Sequence, residues 1–238
     1  MEKEILIVKN STEEGPGLLE DLLIERGISY RIADLQKGEP FPSVENYKAI
    51  VVLGGPDSAN DENQKMATEQ QRIREILAAR IPYLGICLGL QTLVKAAGGK
   101  VVQSPLKEVG FRGPDGDYFS VELTPEGMHD RLFKGLGHSL MVFHLHGETV
   151  DLTAHMTLLG AGKFCRNQIV KIGDNAYGLQ CHFELTEPMF ESWISEDPDL
   201  LQLESNALRA DLKIIKDAYS QTGRQLFLNF LEIAGYER

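Results

Sequence analysis

The chain has 238 residues, of which 42% are hydrophobic and 25% are charged, a composition typical of a folded globular protein and unlike that of a disordered chain. Its formal net charge of -11 at pH 7 disfavours binding to nucleic-acid phosphates and to anionic membranes, because like charges repel. The three cysteines, Cys87, Cys165 and Cys181, match neither a zinc ribbon nor a CxxC redox pair and indicate a reducing compartment.

The N-terminal segment 1–10 contains an apolar run of only four residues. Such a run is too short for the core of a signal peptide or for a membrane span. We therefore interpret it as a first strand and expect a cytoplasmic protein that binds no membrane.

The first half of the chain alternates short β-branched runs with longer helical patterns, as βαβ units of a parallel sheet do. The sequence predicts strands at 5–8, 30–32, 49–53 and 82–86, and helices at 18–24, at 61–80 and directly after Cys87. This alternation favours an α/β fold with one main core.

The second half is more strand-like until it becomes helical near Pro188. Further strands are predicted at 100–102, 118–123, 140–143, 168–172 and 177–180. The apolar spacing from Leu200 to Ile215 predicts a helix, and a second helical segment follows around 226–231.

The strongest local motif is Gly85-Ile86-Cys87-Leu88-Gly89, which lies between an apolar strand and a helix. Flanking glycines allow a tight strand-to-helix turn that projects the cysteine out of the fold, as in a nucleophile elbow. A helix N-terminus favours the thiolate, and the N–H of Leu88 is a candidate donor to an oxyanion. The alternative for a lone cysteine is a small buried hydrophobic residue.

A cysteine nucleophile needs a base, and His182 is the best candidate among six histidines. His182 ends an apolar strand and is followed at i+2 by Glu184, so in extended chain the two side chains project to the same side. Glu184 could then orient the imidazole. A chance pair or a surface ion pair is the alternative. Because active groups gather at the carboxyl ends of parallel strands, His182 and Cys87 can meet there.

A third motif, Leu53-Gly54-Gly55-Pro56-Asp57-Ser58, follows another predicted strand. Glycine lets the backbone approach a ligand, which makes the N–H of Gly55 a second candidate oxyanion donor. An ordinary Gly-Pro turn is the alternative. A pyrophosphate-binding loop is disfavoured, because Pro56 lacks an N–H that a phosphate cradle would use.

Together these motifs, with 177–184, resemble the class I (triad) glutamine amidotransferases. The resemblance covers the chain to about residue 190, and 143–149 looks like the substrate-side loop of stand-alone members related to the glutaminase domain of GMP synthetase. It implies a doubly wound, mostly parallel sheet flanked by helices, of the flavodoxin-like kind. Residues 1–190 would form the amidotransferase-like domain, and 191–238 a helical extension packed on it.

By the resemblance, Cys87 is the nucleophile, His182 the general base and acid, and Glu184 the orienting acid. The remaining implied site residues are Gly55 and Leu88 as oxyanion donors, with Gly54, Gln91, His146 and Gly147 on the substrate side. Two residues depart from the family pattern. Phe183 replaces the usual proline between the triad histidine and glutamate, and Cys181 replaces a larger apolar residue. By strand alternation we expect Cys181 to pack in the core.

The resemblance implies hydrolysis of the γ-carboxamide of glutamine or of a γ-glutamyl compound through a thioester. No metal site is expected from the spacing of histidines and acids, and no nicotinamide or P-loop fingerprint indicates a cofactor. Two alternatives remain. The protein could be a glutaminase subunit that supplies ammonia to a separate synthetase, or a catalytically silent binding protein in which Phe183 has spoiled the triad.

Overall fold

The computed structural model describes residues 3–237. Its helices are α1 (Leu18–Glu25), α2 (Gln64–Ala79), α3 (Leu88–Ala96), α4 (Pro125–Met128), α5 (Glu187–Glu196) and α6 (Ser205–Ile233). Its strands are β1 (Glu4–Lys9), β2 (Tyr30–Asp34), β3 (Tyr47–Val52), β4 (Tyr83–Ile86), β5 (Lys100–Gly110), β6 (Ser120–Leu123), β7 (Ser139–Met141), β8 (His144–Asp151), β9 (Met156–Gly162), β10 (Asn167–Ile172) and β11 (Ala176–Leu179).

Within residues 3–237 the main sheet has nine strands in the order β2-β1-β3-β4-β11-β10-β9-β6-β7. The first five of these are parallel to one another. The remaining strands extend the sheet in antiparallel pairs. The expected α/β fold with a sheet flanked by helices is therefore confirmed, and the sheet is mixed, with the parallel half carrying the β4-to-α3 turn.

The parallel half is buried on both faces, which is why its strands are continuous apolar runs. In β1, Ile5 and Ile7 pack in a cluster with α1 and α6. Their neighbours Leu6 and Val8 pack in a second cluster with α2 and α3. Side chains that alternate along one strand thus bind helices to opposite faces of the sheet.

Two strands, β8 and β9, were not predicted, and β8 covers most of the segment 143–149 that was expected to be a loop. The expectation, which came from the family resemblance, was wrong, and the Gly and Glu in this segment have weak strand propensity. The backbone of β8 is instead held by antiparallel pairing with β5 in a separate two-stranded sheet. Cross-strand pairing therefore outweighs the local preference.

The C-terminal region forms α5 and then one 29-residue helix, α6, rather than the two segments that were expected. Leu200 and Leu203 precede α6, in and after a short 3-10 turn. The second half of α6 buries Phe227 and Phe230 in the core beside β1. The division of the chain near residue 190 stays a prediction, and α5 runs across it. No helix within residues 3–237 has the length and apolar character needed to cross a membrane.

Candidate active site

Cys87 occupies the turn between β4 and α3. Its backbone has φ 52° and ψ -106°, a left-handed conformation that costs free energy for a residue with a side chain. The flanking glycines are required sterically. A Cβ at Gly89 would lie 2.2 Å from the carbonyl oxygen of Val52, and one at Gly85 would lie 2.3 Å from that of Gly89. Only a chain without these side chains can make so tight an elbow.

The elbow opens on a cavity of about 500 Å³ at the carboxyl end of the parallel strands. Its lining includes six of the residues that the sequence and the resemblance indicated: Gly55, Cys87, Gln91, His146, Gly147 and His182. Glu184 lies behind His182. The structure thus brings residues 87 and 182 to one rim of the sheet, since β4 and β11 are adjacent parallel strands.

His182 and Glu184 form a buried pair. The Nδ1 of His182 lies 2.6 Å from Oε1 of Glu184, and both side chains are almost fully buried. Burial opposes the charged imidazolium, but the neighbouring Glu184 and Cys87 outweigh it, and the pKa of His182 is raised well above its usual value. Because Nδ1 is used by Glu184, the Nε2 atom is available to exchange a proton with Cys87.

Phe183, the residue that departs from the family pattern, supports this pair. Its backbone N–H donates a hydrogen bond to Oε2 of Glu184 at 2.9 Å. A proline at this position would have no N–H to donate. The Glu184 carboxylate is therefore held at both oxygens, one by His182 and one by Phe183.

The backbone of His182 is fixed from two sides. Its N–H donates to the carbonyl oxygen of Phe143 at 2.9 Å, and its own carbonyl accepts a hydrogen bond from the hydroxyl of Tyr219 on α6 at 2.9 Å. The helix approaches so closely that a Cβ at Gly223 would lie 2.3 Å from the carbonyl oxygen of Phe183. The long C-terminal helix is thus part of the framework of the site.

The expected oxyanion donors lie beside Cys87. Leu88 is the first residue of α3, so its N–H has no acceptor within the helix. Gly55 follows β3 and lines the cavity. A Cβ at Gly54 would lie 3.3 Å from Cβ of Cys87, and one at Gly55 would lie 2.6 Å from Cβ of Asn10. Glycine at position 54 lets this backbone pass close to Cys87, and glycine at position 55 lets it pass close to Asn10.

Two glutamines connect Cys87 to the opposite wall of the cavity. The Nε2 of Gln91 donates to the carbonyl oxygen of Glu148 at 3.3 Å and to Oε1 of Gln180 at 3.4 Å. In turn, Nε2 of Gln180 lies 3.8 Å from Sγ of Cys87. Gln180 was not assigned to the site from the sequence, although its i-2 relation to His182 was a usable signal.

Glu14 is a cavity residue that no sequence motif indicated. It lies in the loop after β1, partly buried, and lines the cavity with Cys87 and His182. Loss of hydration raises the pKa of Glu14 to about 7, and the nearby His182 opposes that rise. Glu14 therefore places a carboxyl group with a raised pKa beside Cys87.

A cluster of Glu108, His144 and His146 supports the cavity from behind. The Oε2 of Glu108 lies 2.9 Å from Nε2 of His146 and accepts a hydrogen bond from Gln168 at 2.8 Å. Among residues 3–237, these three side chains form the group whose ligand atoms, all within 4.8 Å of one another, could hold a metal ion. The spacing along the sequence did not indicate it, because Glu108 lies on β5 and the histidines on β8.

The other two cysteines lie away from the cavity. Cys181 is fully buried in the main apolar cluster, and burial raises the pKa of its thiol well above the usual value. Cys165 is also buried, and burial raises its thiol pKa. Neither side chain lines the cavity that Cys87 faces.

These features define an α/β protein with a cysteine at a strand-to-helix elbow beside a buried His–Glu pair. The family model for class I glutamine amidotransferases matches residues 17–195. The chain belongs to the class I glutamine amidotransferase family.

Similar proteins include both stand-alone and larger members. The glutamine amidotransferase-like protein YfeJ of Salmonella typhimurium is 33% identical over 176 residues, which are 71% of each chain. One subunit of the glutamine-hydrolysing GMP synthase of Saccharolobus solfataricus is 29% identical and is matched over 68% of this chain and 82% of its own. The GMP synthase of Azoarcus is 30% identical, but the matched segment is only 26% of that protein.

Solved structures agree with the fold. A glutamine amidotransferase from Methylobacillus flagellatus superposes with a TM-score of 0.85 at 26% identity, over 99% of this chain and 96% of that one. A glutamine amidotransferase from Thermotoga maritima gives the same TM-score at 28% identity, over 97% and 98% of the two chains. The coverage includes α6, so the long C-terminal helix belongs to the shared architecture.

Proposed function

We propose that the protein hydrolyses the γ-carboxamide of glutamine or of a γ-glutamyl compound through a thioester on Cys87. The observation that carries this proposal is the shared cavity of Cys87 and His182, with Glu184 bound to the far side of the imidazole. Family membership supports the same chemistry. The chemical role of each residue follows from which reacting atom of the substrate or of its neighbours it can reach.

In the acylation step, His182 already holds on Nε2 the proton given up by Cys87, because the pKa of its imidazole is raised, and the Cys87 thiolate attacks the γ-carbonyl carbon. A C–S bond forms, and the carbonyl electrons move onto oxygen, where the N–H groups of Gly55 and Leu88 stabilise the charge. Collapse of this intermediate breaks the C–N bond. The leaving nitrogen takes the proton from His182 and departs as ammonia or an amine.

In the deacylation step, His182 accepts a proton from water as the water oxygen attacks the thioester carbon. Collapse breaks the C–S bond and regenerates the Cys87 thiolate, the proton stays on His182, and glutamate is released. Glu184 keeps the imidazole in one orientation through both steps and stabilises its charged form. Gln91, His146 and Gly147 line the wall that would receive the glutamyl portion.

The alternative of a catalytically silent binding protein receives little support from Phe183. The concern was that loss of proline loosens the turn, but the Phe183 N–H binds the Glu184 carboxylate. The alternative of a glutaminase subunit is favoured by one observation, the similarity to a GMP synthase subunit over 82% of that subunit's length. In that case the ammonia would pass to a partner that carries the synthetase.

The test is glutamate release from glutamine and from γ-glutamyl peptides by the purified protein and by Cys87→Ala. Turnover that Cys87→Ala abolishes supports the proposal. Activity that depends on an added synthetase supports the glutaminase-subunit alternative. If no substrate is turned over and a diazoketone analogue of glutamine fails to label Cys87, the proposal is wrong. Cys181→Ala is the matched control, because that cysteine is buried away from the cavity.

A further inference from the structure

We propose that the cavity wall on the His182 side is a subsite for a positive charge on the leaving amine. The preferred substrates would then be γ-glutamyl amides of amines that carry a second cationic group. This inference rests on the proposed function and adds a substrate class to it.

Glu14 lies against the reacting centre. The point where a Cβ on Gly54 would stand is 2.2 Å from Oε2 of Glu14 and 3.3 Å from Cβ of Cys87. Gly54 therefore leaves room for the carboxylate next to the nucleophile. A group attached to the scissile amide could reach this carboxylate while its carbonyl carbon is at the sulfur.

The leaving amine departs toward this wall because it takes its proton from His182. The indole N–H of Trp193 donates to the carbonyl oxygen of Glu13 at 3.3 Å, and the Trp193 ring stands edge-on to His182 with centroids 5.1 Å apart. Loop 13–14, Trp193 and His182 thus form one continuous wall. The glutamyl portion would lie on the opposite side, against Gln91 and Gly147.

This wall is acidic. Its carboxylates are Glu13, Glu14, Glu196 and Asp197, all lining the cavity. Within residues 3–237, the cavity-lining lysine, Lys107, is paired with Asp199, and no lysine or arginine forms an ion pair with Glu14. A partly buried carboxylate that is not directly paired with a lysine or arginine is unfavourable. A cationic ligand group would supply the missing charge.

The size and the titration of the site fit such a ligand. A cavity of about 500 Å³ is in the range that holds ligands larger than one amino acid. The raised pKa of Glu14 means that burial outweighs the favourable charges of His182 and Lys9. His182, Glu184, Asp197 and Lys9 are the charged groups that act on Glu14, and only His182 and Lys9 favour its ionised form.

The experiment measures binding to Cys87→Ala protein by calorimetry, so that no ligand is consumed. Three γ-glutamyl amides of equal chain length serve as probes: those of 1,4-diaminobutane (cationic), butylamine (neutral) and 4-aminobutanoate (anionic). At pH 8 we expect the cationic ligand to bind about tenfold more tightly than the neutral one. The anionic ligand should bind most weakly.

Adding Glu14→Gln to the Cys87→Ala protein should reduce the ratio of cationic to neutral ligand affinity to near one. The control Glu126→Gln, which removes an exposed charge on α4, should leave that ratio unchanged. The ratio in the Cys87→Ala protein should also rise as pH increases through about 7, because Glu14 becomes ionised. Glu14→Asp, which retains a carboxylate, should keep most of the preference.

Equal affinities for the three ligands, or no binding of any, would overturn the inference. An equal loss of affinity for all three ligands in Glu14→Gln would also overturn the inference. That result would mean that Glu14 binds the α-ammonium group common to them. Failure of the proposed function is a separate result, because it is judged by glutamate release from the protein that retains Cys87.

Discussion

The hydroxyl of Tyr219, in the middle of α6, donates a hydrogen bond to the backbone carbonyl of His182 at 2.9 Å. Tyr219 is 1% exposed, so neither group can exchange its partner for water in the folded protein. Tyr219 also lies beyond the segment that the family model matches, which ends at residue 195. The C-terminal helix therefore positions a residue of the candidate active site.

Tyr219→Phe should lower both stability and activity. The carbonyl of His182 would lose its buried partner, at a cost of about 1–3 kcal/mol, and the imidazole would be less well oriented, which reduces kcat. Urea unfolding and glutamine hydrolysis measure the two effects. Tyr30→Phe, which removes a hydroxyl bound to Glu20 far from the cavity, is the control. Unchanged kcat in Tyr219→Phe would contradict a positioning role.

Phe183→Pro should be less active than Phe183→Leu, although it restores the residue usual in the family. Both variants lose the buried ring of Phe183 and should be destabilised by a few kcal/mol. Only the proline variant also loses the N–H that binds Oε2 of Glu184. The comparison of kcat/KM between the two variants isolates that hydrogen bond. Equal values would show that it contributes nothing to the reaction.

Glu184→Gln should reduce kcat by roughly 10²–10⁴-fold, because an amide cannot stabilise the imidazolium. It should also lower the pKa of His182, since Glu184 is the chief group that raises it. NMR titration of the His182 ring in the two proteins measures that change. Glu191→Gln, which removes a surface carboxylate bound to Arg209, is the control, and an identical His182 titration in Glu184→Gln would refute the assignment.

The His182–Glu184 pair also predicts a dependence of stability on pH. A histidine whose pKa is raised on folding contributes stability that is fully present below its ordinary value of 6.5 and is lost as pH rises through the raised pKa. The stability advantage of the wild type over Glu184→Gln should therefore shrink on going to alkaline pH. A constant difference between the two unfolding free energies at every pH would contradict this.

Glu69, on α2, predicts a second pH effect, away from the cavity. The side chain is 0% exposed, and burial raises its pKa to about 7. The stability that the protonated carboxyl of Glu69 contributes is thus fully present below pH 4.5 and is lost as pH rises through about 7. Between pH 4.5 and pH 8, the free energy of unfolding of Glu69→Gln should rise by on the order of 2–3 kcal/mol relative to that of the wild type.

The matched control for Glu69 is Glu75→Gln on the same helix. Glu75 is partly exposed, and its pKa is lowered by its hydrogen bond to Arg72. The corresponding pH effect should therefore be small and of opposite sign. Urea unfolding of the three proteins across this pH range measures the difference, and parallel curves for wild type and Glu69→Gln would rule out the assignment.

Gly89→Ala should disrupt the elbow. Its Cβ would lie 2.2 Å from the carbonyl oxygen of Val52, a fixed backbone atom of β3, so the turn would have to shift at a cost of several kcal/mol. We expect loss of both activity and thermal stability. Gly137→Ala, whose Cβ would meet nothing closer than 3.9 Å, should be close to wild type. A stable and active Gly89→Ala protein would show that the elbow can relax.

Local constraints made much of the site predictable. The pattern Gly85-x-Cys87-x-Gly89 is dictated by collisions within one turn, so the sequence carries it directly. The i, i+2 spacing of His182 and Glu184 is a property of extended chain. The buried parallel strands were likewise recognisable, because burial on both faces requires continuous apolar runs.

Other parts of the molecule depend on contacts between distant segments and left no local signal. The strand β8 forms because β5 pairs with it. The helix α6 continues through the region expected to divide it, where Tyr219 and Gly223 pack against the backbone of residues 182–183. Glu14 was indistinguishable from the adjacent Glu13 until the fold placed it against Gly54.

The sequence by itself determined the strained turn at Cys87 and the pairing of His182 with Glu184, because short-range sterics and strand alternation specify both. Only the tertiary structure decided what surrounds them. The carboxyl group of Glu14 in the cavity, the Tyr219 hydroxyl on His182 and the pairing of Glu108 with His146 are contacts between chain segments far apart in sequence. Their energies depend on burial and distance, which exist only once the sheet has brought those segments together.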